Sequence, residues 1–236
     1  MKFTPINLLP KLIITIDGPA GAGKTTVSKK LAEVLDYQYI DTGALYRAVA
    51  LAAQKKGPAS LGSNDDQVLA ELCRNLQLEF KSGPKGLVLF CDGIDITDKI
   101  RTPEISMLAS TISARPVVRK ALLGLQRKMG KKKQAVFEGR DMGTVIFPDA
   151  DLKFFLEASC AVRALRRFKE LGDTCTQTLK EVEEDILQRD NQDSTRGAAP
   201  LKPAKDAIKI DSTVLSADQV VEKMLFSIKK AIINEN

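Results

Sequence analysis

The sequence predicts an α/β fold: a parallel sheet of five short strands flanked by helices. Three observations carry that expectation. The apolar, β-branched run Leu12-Ile13-Ile14-Thr15-Ile16 leads into the glycine-rich stretch Gly18 to Thr26, and Val27, Leu31, Val34 and Leu35 follow at helical spacing. Short apolar runs recur at 37–40, 135–137, 152–156 and 208–210, with helical periodicity between them. The strand–helix rhythm is broken once, between 76 and 96, where two alternating runs joined by Ser82-Gly83-Pro84-Lys85-Gly86 read as an antiparallel hairpin.

In order, a helix is expected over 24–35, a strand over 37–40, and a second helix after Asp41-Thr42-Gly43 with Ala48, Val49, Leu51 and Ala52 on its apolar face. Tyr46 and Arg47 lie one turn into it; by spacing alone Tyr46 fits the core as well as a site. Residues 55–66 are polar, with Gly57-Pro58 and Gly62-Ser63, and read as a linker. A helix over 68–72 precedes the strands 76–80 and 87–91, and Asp92-Gly93 turns the chain into Ile94-Asp95-Ile96. Pro103 and Pro116 each open a helix, the first carrying Ser110 and the second Arg119. Lys131-Lys132-Lys133 reads as a solvated loop. Helices over 160–171 and 178–191 precede a Pro-containing linker at 197–203, and Ser216 with Gln219 forms a capping box for the last helix. The division expected is a core of 1–62, 131–158 and 198–236, an insertion over 63–130, and a helical segment over 159–197.

The chain has 236 residues, 44% hydrophobic and 28% charged, an ordinary globular balance of a size for one core with a subdomain. Its net charge of +6 suits nucleic acid or a pocket for several phosphates; its arginines stand near glycines and aspartates and form no single stripe, which favours the pocket. Histidine is absent, so imidazole catalysis and histidine-ligated metals are excluded. Cys73, Cys91, Cys160 and Cys175 show no C-x-x-C pairing, no apolar run approaches about 18 residues, and the start is too short for a signal peptide. A cytoplasmic protein that crosses no membrane is expected, and nothing demands more than a monomer.

Gly18-Pro19-Ala20-Gly21-Ala22-Gly23-Lys24-Thr25-Thr26 fits the phosphate-loop pattern G-x-x-x-x-G-K-[ST] in its required strand–loop–helix setting. Glycines let successive N–H groups turn inward as an anion nest, and the helix opening at Lys24 adds its dipole. Lys24 brings a point charge to the β- and γ-phosphates, and the Thr25 hydroxyl can ligate Mg²⁺. The motif gives a nucleoside triphosphate site and leaves the acceptor open. A second cluster, Glu138-Gly139-Arg140-Asp141-Met142-Gly143-Thr144, follows a strand, where an open α/β sheet places ligands. Arg163, Arg166, Arg167 and Lys169 crowd one helix and suit an anion.

A kinase of alcohols usually sets a base beside the hydroxyl; one whose acceptor is already a phosphate needs none, because the second phosphate pKa is about 6. Its difficulty is to hold two polyanions in line, which arginines do by bidentate contacts. Arg47, Arg140, Arg189 and Arg196 fit that need.

Beyond these readings, the chain after Lys11 resembles the bacterial cytidylate kinase family. The resemblance rests on Gly18 to Thr26, Asp41 to Arg47, Ile100-Arg101-Thr102, Pro116 to Arg119, Gly139 to Val145, and Arg189-Asp190 through Arg196 to Leu201. It implies the phosphate-loop nucleoside monophosphate kinase fold, with 63–130 as the CMP-binding insertion and a lid within 159–197. It implies transfer of the γ-phosphate of ATP to CMP or dCMP, with Mg²⁺. It places Ser110, Arg119 and Asp141 on the cytosine, and Arg189, Asp193 and Tyr46 at the ribose. Thr42, Arg47, Arg140 and Arg196 would hold the acceptor phosphate and the moving group, and Arg163 and Arg167 would reach ATP from the lid. Lys24, Arg140, Arg189 and Arg196 are the catalytic set. Thr42 stands where serine is common, Glu138 where aspartate is, and Gln192 replaces a frequent arginine. A switch GTPase would show an N-K-x-D motif, which is absent, and a nucleic-acid binder would need a continuous basic face.

Overall fold

A computed structural model describes residues 10–57, 66–83, 86–172 and 177–234. The elements run β1 (Ile13–Asp17), α1 (Lys24–Leu35), β2 (Gln38–Asp41), α2 (Gly43–Lys56), α3 (Asp66–Asn75), β3 (Leu78–Gly83), β4 (Gly86–Cys91), β5 (Ile94–Asp95), α4 (Pro103–Ser113), α5 (Pro116–Gly130), β6 (Ala135–Gly139), β7 (Leu152–Glu157), α6 (Cys160–Leu171), α7 (Leu179–Thr195), β8 (Ile208–Asp211) and α8 (Ala217–Asn234). Five strands form one sheet in the order β2-β6-β1-β7-β8, and every pair in it is parallel. The loop-bearing strand β1 lies at the centre, with Ile14 opposite both Val136 and Leu152. Its residues are buried because helices cover both faces, and Ile14, Ile16, Val136, Phe154 and Leu156 have no side that faces water.

One face packs on α1 and α8 through Val27, Leu31, Val220, Met224 and Ile228. On the other, Ile40, Phe137, Met142, Ile146 and Phe147 form a second cluster. The small antiparallel sheet β3-β4-β5 and helices α3 to α5 share a third core with α2: Leu45, Val49 and Ala53 pack with Leu69, Leu89, Ile112 and Val118. Apolar packing therefore crosses the expected boundary at 62/63, and the insertion is rooted on α2.

Several expectations are met. Pro103 and Pro116 sit at helix starts, and the Ser216–Gln219 capping box is formed, with Gln219 N–H on Ser216 Oγ at 3.2 Å and Ser216 N–H on Gln219 Oε1 at 2.9 Å. Lys131 to Lys133 are exposed. Two differ. Helix α2 runs through Lys55 and Lys56, so the linker is shorter than expected, and its remaining part, 58–65, lies outside the described residues. Helix α7 continues to Thr195 and does not end at Asn191. The segment after the Gly139-Arg140-Asp141 cluster forms one turn of π-helix over Met142–Ile146. No helix among the described residues is long and apolar enough to cross a membrane.

Candidate active site

The carboxyl ends of β1, β2 and β6 open into a cleft of about 690 Å³. At its floor, β1 gives way to the phosphate loop, which bends at Gly18, Gly21 and Gly23 with φ of 150°, 73° and 91°. A Cβ at Gly18 would stand 2.0 Å from the Leu156 carbonyl oxygen, so the close approach of β7 admits only glycine there. Helix α1 starts at Lys24 with no acidic residue in its first turn, which leaves its positive dipole end for an anion. Lys24 is buried and donates to the Pro19 carbonyl at 2.7 Å. Burial, with the charge of Arg140 behind it, holds its ammonium pKa well below the usual lysine range. The cationic form at this position therefore calls for a negative partner.

Two carboxyls near the loop are pushed the opposite way. Asp17 accepts the N–H groups of Met142 and Gly143, each at 2.8 Å, and holds the π-turn against β1. Burial still raises its pKa to about 6. Glu138 accepts from the Thr25 hydroxyl at 2.9 Å, and burial followed by the charge of Asp41 raises it to about 7. A hydroxyl beside a carboxyl is a hard oxygen pair of the kind Mg²⁺ accepts. Among the described residues no group of three or more histidines, cysteines or acidic residues is arranged to hold a metal alone. The donor set fits an ion that takes most of its oxygens from phosphate and water, as magnesium does.

The far end of the cleft is built from side chains. Asp41 pairs with Arg47 at 2.5 Å; burial alone would raise its pKa, but Arg47 and Arg101 outweigh it and the carboxylate stays ionised. The Thr42 hydroxyl does not cap α2; it donates to the Glu138 carbonyl at 2.7 Å and ties β2 to β6. Arg140 donates from Nε to Asp193 at 2.8 Å. Burial disfavours its charge, but Asp193 outweighs burial and keeps it protonated. Arg189 is less well compensated: burial, then repulsion from Arg140, outweighs the pull of Asp193 and lowers its pKa to about 10, and its Nε is buried without a hydrogen bond among the described residues. Asp141 is buried between Arg119, which donates to it, and Arg196 at 3.5 Å. The Arg119 guanidinium also lies over the Tyr46 ring, 5.4 Å from its centroid. Ser110 donates weakly toward Gln192 and Asp193 at 3.3 and 3.4 Å.

Thus Thr42, Tyr46, Arg47, Ser110, Arg119, Arg140, Asp141, Arg189, Asp193 and Arg196 line the same cleft as Ala20 to Thr26 and Arg167. Gly18 and Pro19 shape the loop from beneath and do not line it. Arg163 also does not line it; its guanidinium donates to Asp190 at 2.5 Å and to the carbonyls of Ala20 and Ala158, each at 2.9 Å. Sequence reasoning missed Asp17, a lone charge at the end of a buried strand; Arg166, expected only as part of an anion-suited cluster, reaches Ser212 and the Ala22 carbonyl. Sequence reasoning also missed the lining residues Leu215, Ala217 and Val220, whose apolar character looks like ordinary core.

The family model described as Cytidylate kinase matches residues 14–230. A cytidylate kinase of Citrifermentans bemidjiense is 50% identical over 224 residues, 94% of each chain. One from Geobacter sulfurreducens is 49% identical over 90% of this chain and 91% of its own. One from Caldicellulosiruptor saccharolyticus is 42% identical over 96% of this chain and all of its own. Among solved structures, a shikimate kinase from Acinetobacter baumannii superposes with a TM-score of 0.51 at 14% identity, covering 96% of this chain and 98% of that one, which bears on fold alone. With the phosphate loop and the arginine-lined pocket on one cleft, and relatives of this identity along nearly its whole length, the chain belongs to the cytidylate kinase family, ATP-dependent kinases of CMP.

Proposed function

We propose that the cleft brings ATP and CMP or dCMP end to end, and that the acceptor phosphate attacks the γ-phosphorus with release of ADP. The phosphate loop takes the triphosphate through its inward N–H groups and Lys24, whose buried ammonium regains its full charge beside the polyanion. Thr25, with Glu138 behind it, would hold Mg²⁺, which supplies neutralisation of charge on the β- and γ-phosphates. Arg47, Arg140 and Arg196 orient the acceptor phosphate, and Thr42 lies beside them. No residue acts as general base, since the attacking oxygen is already ionised near neutral pH. Lys24, Arg140 and Arg189 offset charge that develops on the moving group. Arg167 reaches ATP from the helix pair α6–α7, and closure of that pair excludes water. Arg189 and Asp193 lie toward the ribose, with Tyr46 between ribose and base. The same reading takes the enzyme as a cytoplasmic monomer that uses neither nucleic acid nor a membrane.

The observation that carries the choice of acceptor is Asp141, buried and held by Arg119 and Arg196 among the side chains that line the cleft. A carboxylate accepts from the exocyclic amino group of cytosine and repels the carbonyl that uracil has there. Ser110 completes a polar edge for the base. The test is turnover with ATP and Mg²⁺ over CMP, dCMP, UMP and AMP. CMP and dCMP should be used and UMP poorly; equal use of UMP would remove Asp141 from the base site.

A further inference from the structure

The phosphate loop is gripped from behind. Two side chains of the α6–α7 pair converge on Ala20, at the middle of the loop. Asp190 of α7 accepts the Ala20 N–H at 3.3 Å. Arg163 of α6 donates to the Ala20 carbonyl at 2.9 Å, and the same guanidinium pairs with Asp190 at 2.5 Å. Both groups are largely buried, with side-chain exposures of 8% for Arg163 and 20% for Asp190. Helix α6 also presses on the next residue: a Cβ at Gly21 would meet Arg163 Cβ and the Arg163 carbonyl oxygen at 3.0 Å each. A parallel brace lies two residues on, where the Ala22 carbonyl accepts from the Ser212 hydroxyl at 3.2 Å and more loosely from Arg166 at 3.4 Å.

Peptide geometry gives the grip a consequence. In a planar trans peptide the carbonyl and the N–H point in opposite directions. Fixing the Ala20 carbonyl behind the loop therefore aims the Gly21 N–H at the opposite side, into the cleft. Gly21 needs that help, because glycine at φ 73° can rotate the neighbouring peptide units at little steric cost. A hydrogen bond from a charged donor to the outward carbonyl also polarises the inward N–H of the same unit.

We infer that Arg163 and Asp190 are positioning residues for ATP: they lock the Ala20 peptide groups so that the loop N–H groups stay aimed at the triphosphate, and neither touches the nucleotide. This rests on the ATP-dependent reading of the cleft and gives Arg163 an indirect route to ATP in place of a contact. The sign of one substitution separates the two routes. Asp190→Asn removes a negative charge near a polyanion site, so a through-space effect would tighten ATP. Loss of the grip would loosen it.

The experiment is calorimetric binding of ATP and, separately, of CMP to the full chain, with KM and kcat for each substrate and a thermal melt of every variant. Arg163→Gln should weaken ATP about tenfold or more and leave CMP within about twofold. Asp190→Asn should weaken ATP about three- to tenfold, with kcat at saturating ATP much less affected. Arg163→Lys keeps the charge but not the fork of donors and should fall between wild type and Arg163→Gln. Unchanged or tighter ATP binding in Asp190→Asn, or equal losses for both nucleotides in Arg163→Gln, would overturn the inference. A wild-type chain that binds ATP but does not phosphorylate CMP would instead overturn the choice of acceptor and leave the grip to be judged by ATP binding.

Discussion

The two ends of the cleft are made in different ways. The end proposed for ATP is mostly backbone: one contiguous segment, 18–26, whose glycines and helix start suit an anion. The end proposed for the acceptor is mostly side chain, drawn from β2, α2, α4, α5, β6 and α7. A backbone site is specified mainly by local conformation, here braced from behind by Arg163 and Asp190. A side-chain site exists only where the topology brings its parts together, and each part depends on its partner's charge. Arg140 stays protonated because Asp193 is beside it, whereas the pull of the same Asp193 on Arg189 is outweighed by burial and by Arg140, and Arg189 is held to about 10. Each end thus keeps one under-compensated buried cation, Arg189 at one and Lys24 at the other, and an anionic ligand relieves both.

Breaking the backbone end should cost most. Lys24→Ala removes the one side-chain cation that the loop itself supplies, and kcat/KM should fall about a hundredfold to a thousandfold or more. The fold should survive, because the ammonium is already disfavoured by burial. Rapid-quench turnover with a thermal melt checks both halves; retained activity would remove the loop from the chemistry.

At the other end, Asp141→Ala strips a buried carboxylate from between two arginines and should weaken CMP by about 2–5 kcal/mol. ATP affinity should hardly move, since Asp141 pairs with Arg119 and Arg196 and not with the phosphate loop. Asp141→Asn keeps the shape and loses the charge, so its cost reads the electrostatic part. Calorimetry with each nucleotide decides it, and equal losses for ATP and CMP would mean that the two ends are not separable in this way.

The same contrast governs what could be read beforehand. The strand–loop–helix around Gly18 was legible because its geometry is local and its residue types have few other uses. The five-stranded order was expected from alternation, though alternation does not give the order β2-β6-β1-β7-β8. Helix α7 was cut short at Asn191 because residues 189–196 are uniformly polar. It continues because the Ser194 and Thr195 hydroxyls donate back to the Asp190 and Asn191 carbonyls, each at 2.6 Å, and because Arg140 and Arg196 neutralise the buried Asp193. That extra turn puts Arg189 and Asp193 on one face, with Arg196 at the cap. The π-turn was invisible because its determinant, Asp17, lies 125 residues away in sequence. Arg163, Arg166 and Arg167 look alike as a cluster, and only packing divides them: Arg163 holds the loop from behind, Arg166 both braces it and lines the cleft, and Arg167 lines the cleft.

The smallest effect expected concerns the seam between the two ends, where Glu138 meets Thr25. Its carboxyl is raised to about 7 and that of Asp17 to about 6, both by burial first. For an acid raised on folding, the folded state holds its proton more tightly than the unfolded one. The stability from these groups is complete below the ordinary carboxyl range and is lost as pH rises from that range up to about 6 for Asp17 and up to about 7 for Glu138. The melting temperature of the free enzyme should therefore drop between about pH 4 and about pH 7, and Glu138→Gln should flatten the upper part of that drop while leaving the part set by Asp17. Magnesium with ATP should flatten it as well, because a cation beside Glu138 favours the ionised form. A wild-type slope unchanged by Glu138→Gln would show that this carboxyl is ionised throughout, and would place it with the charged acceptor end and not at the seam.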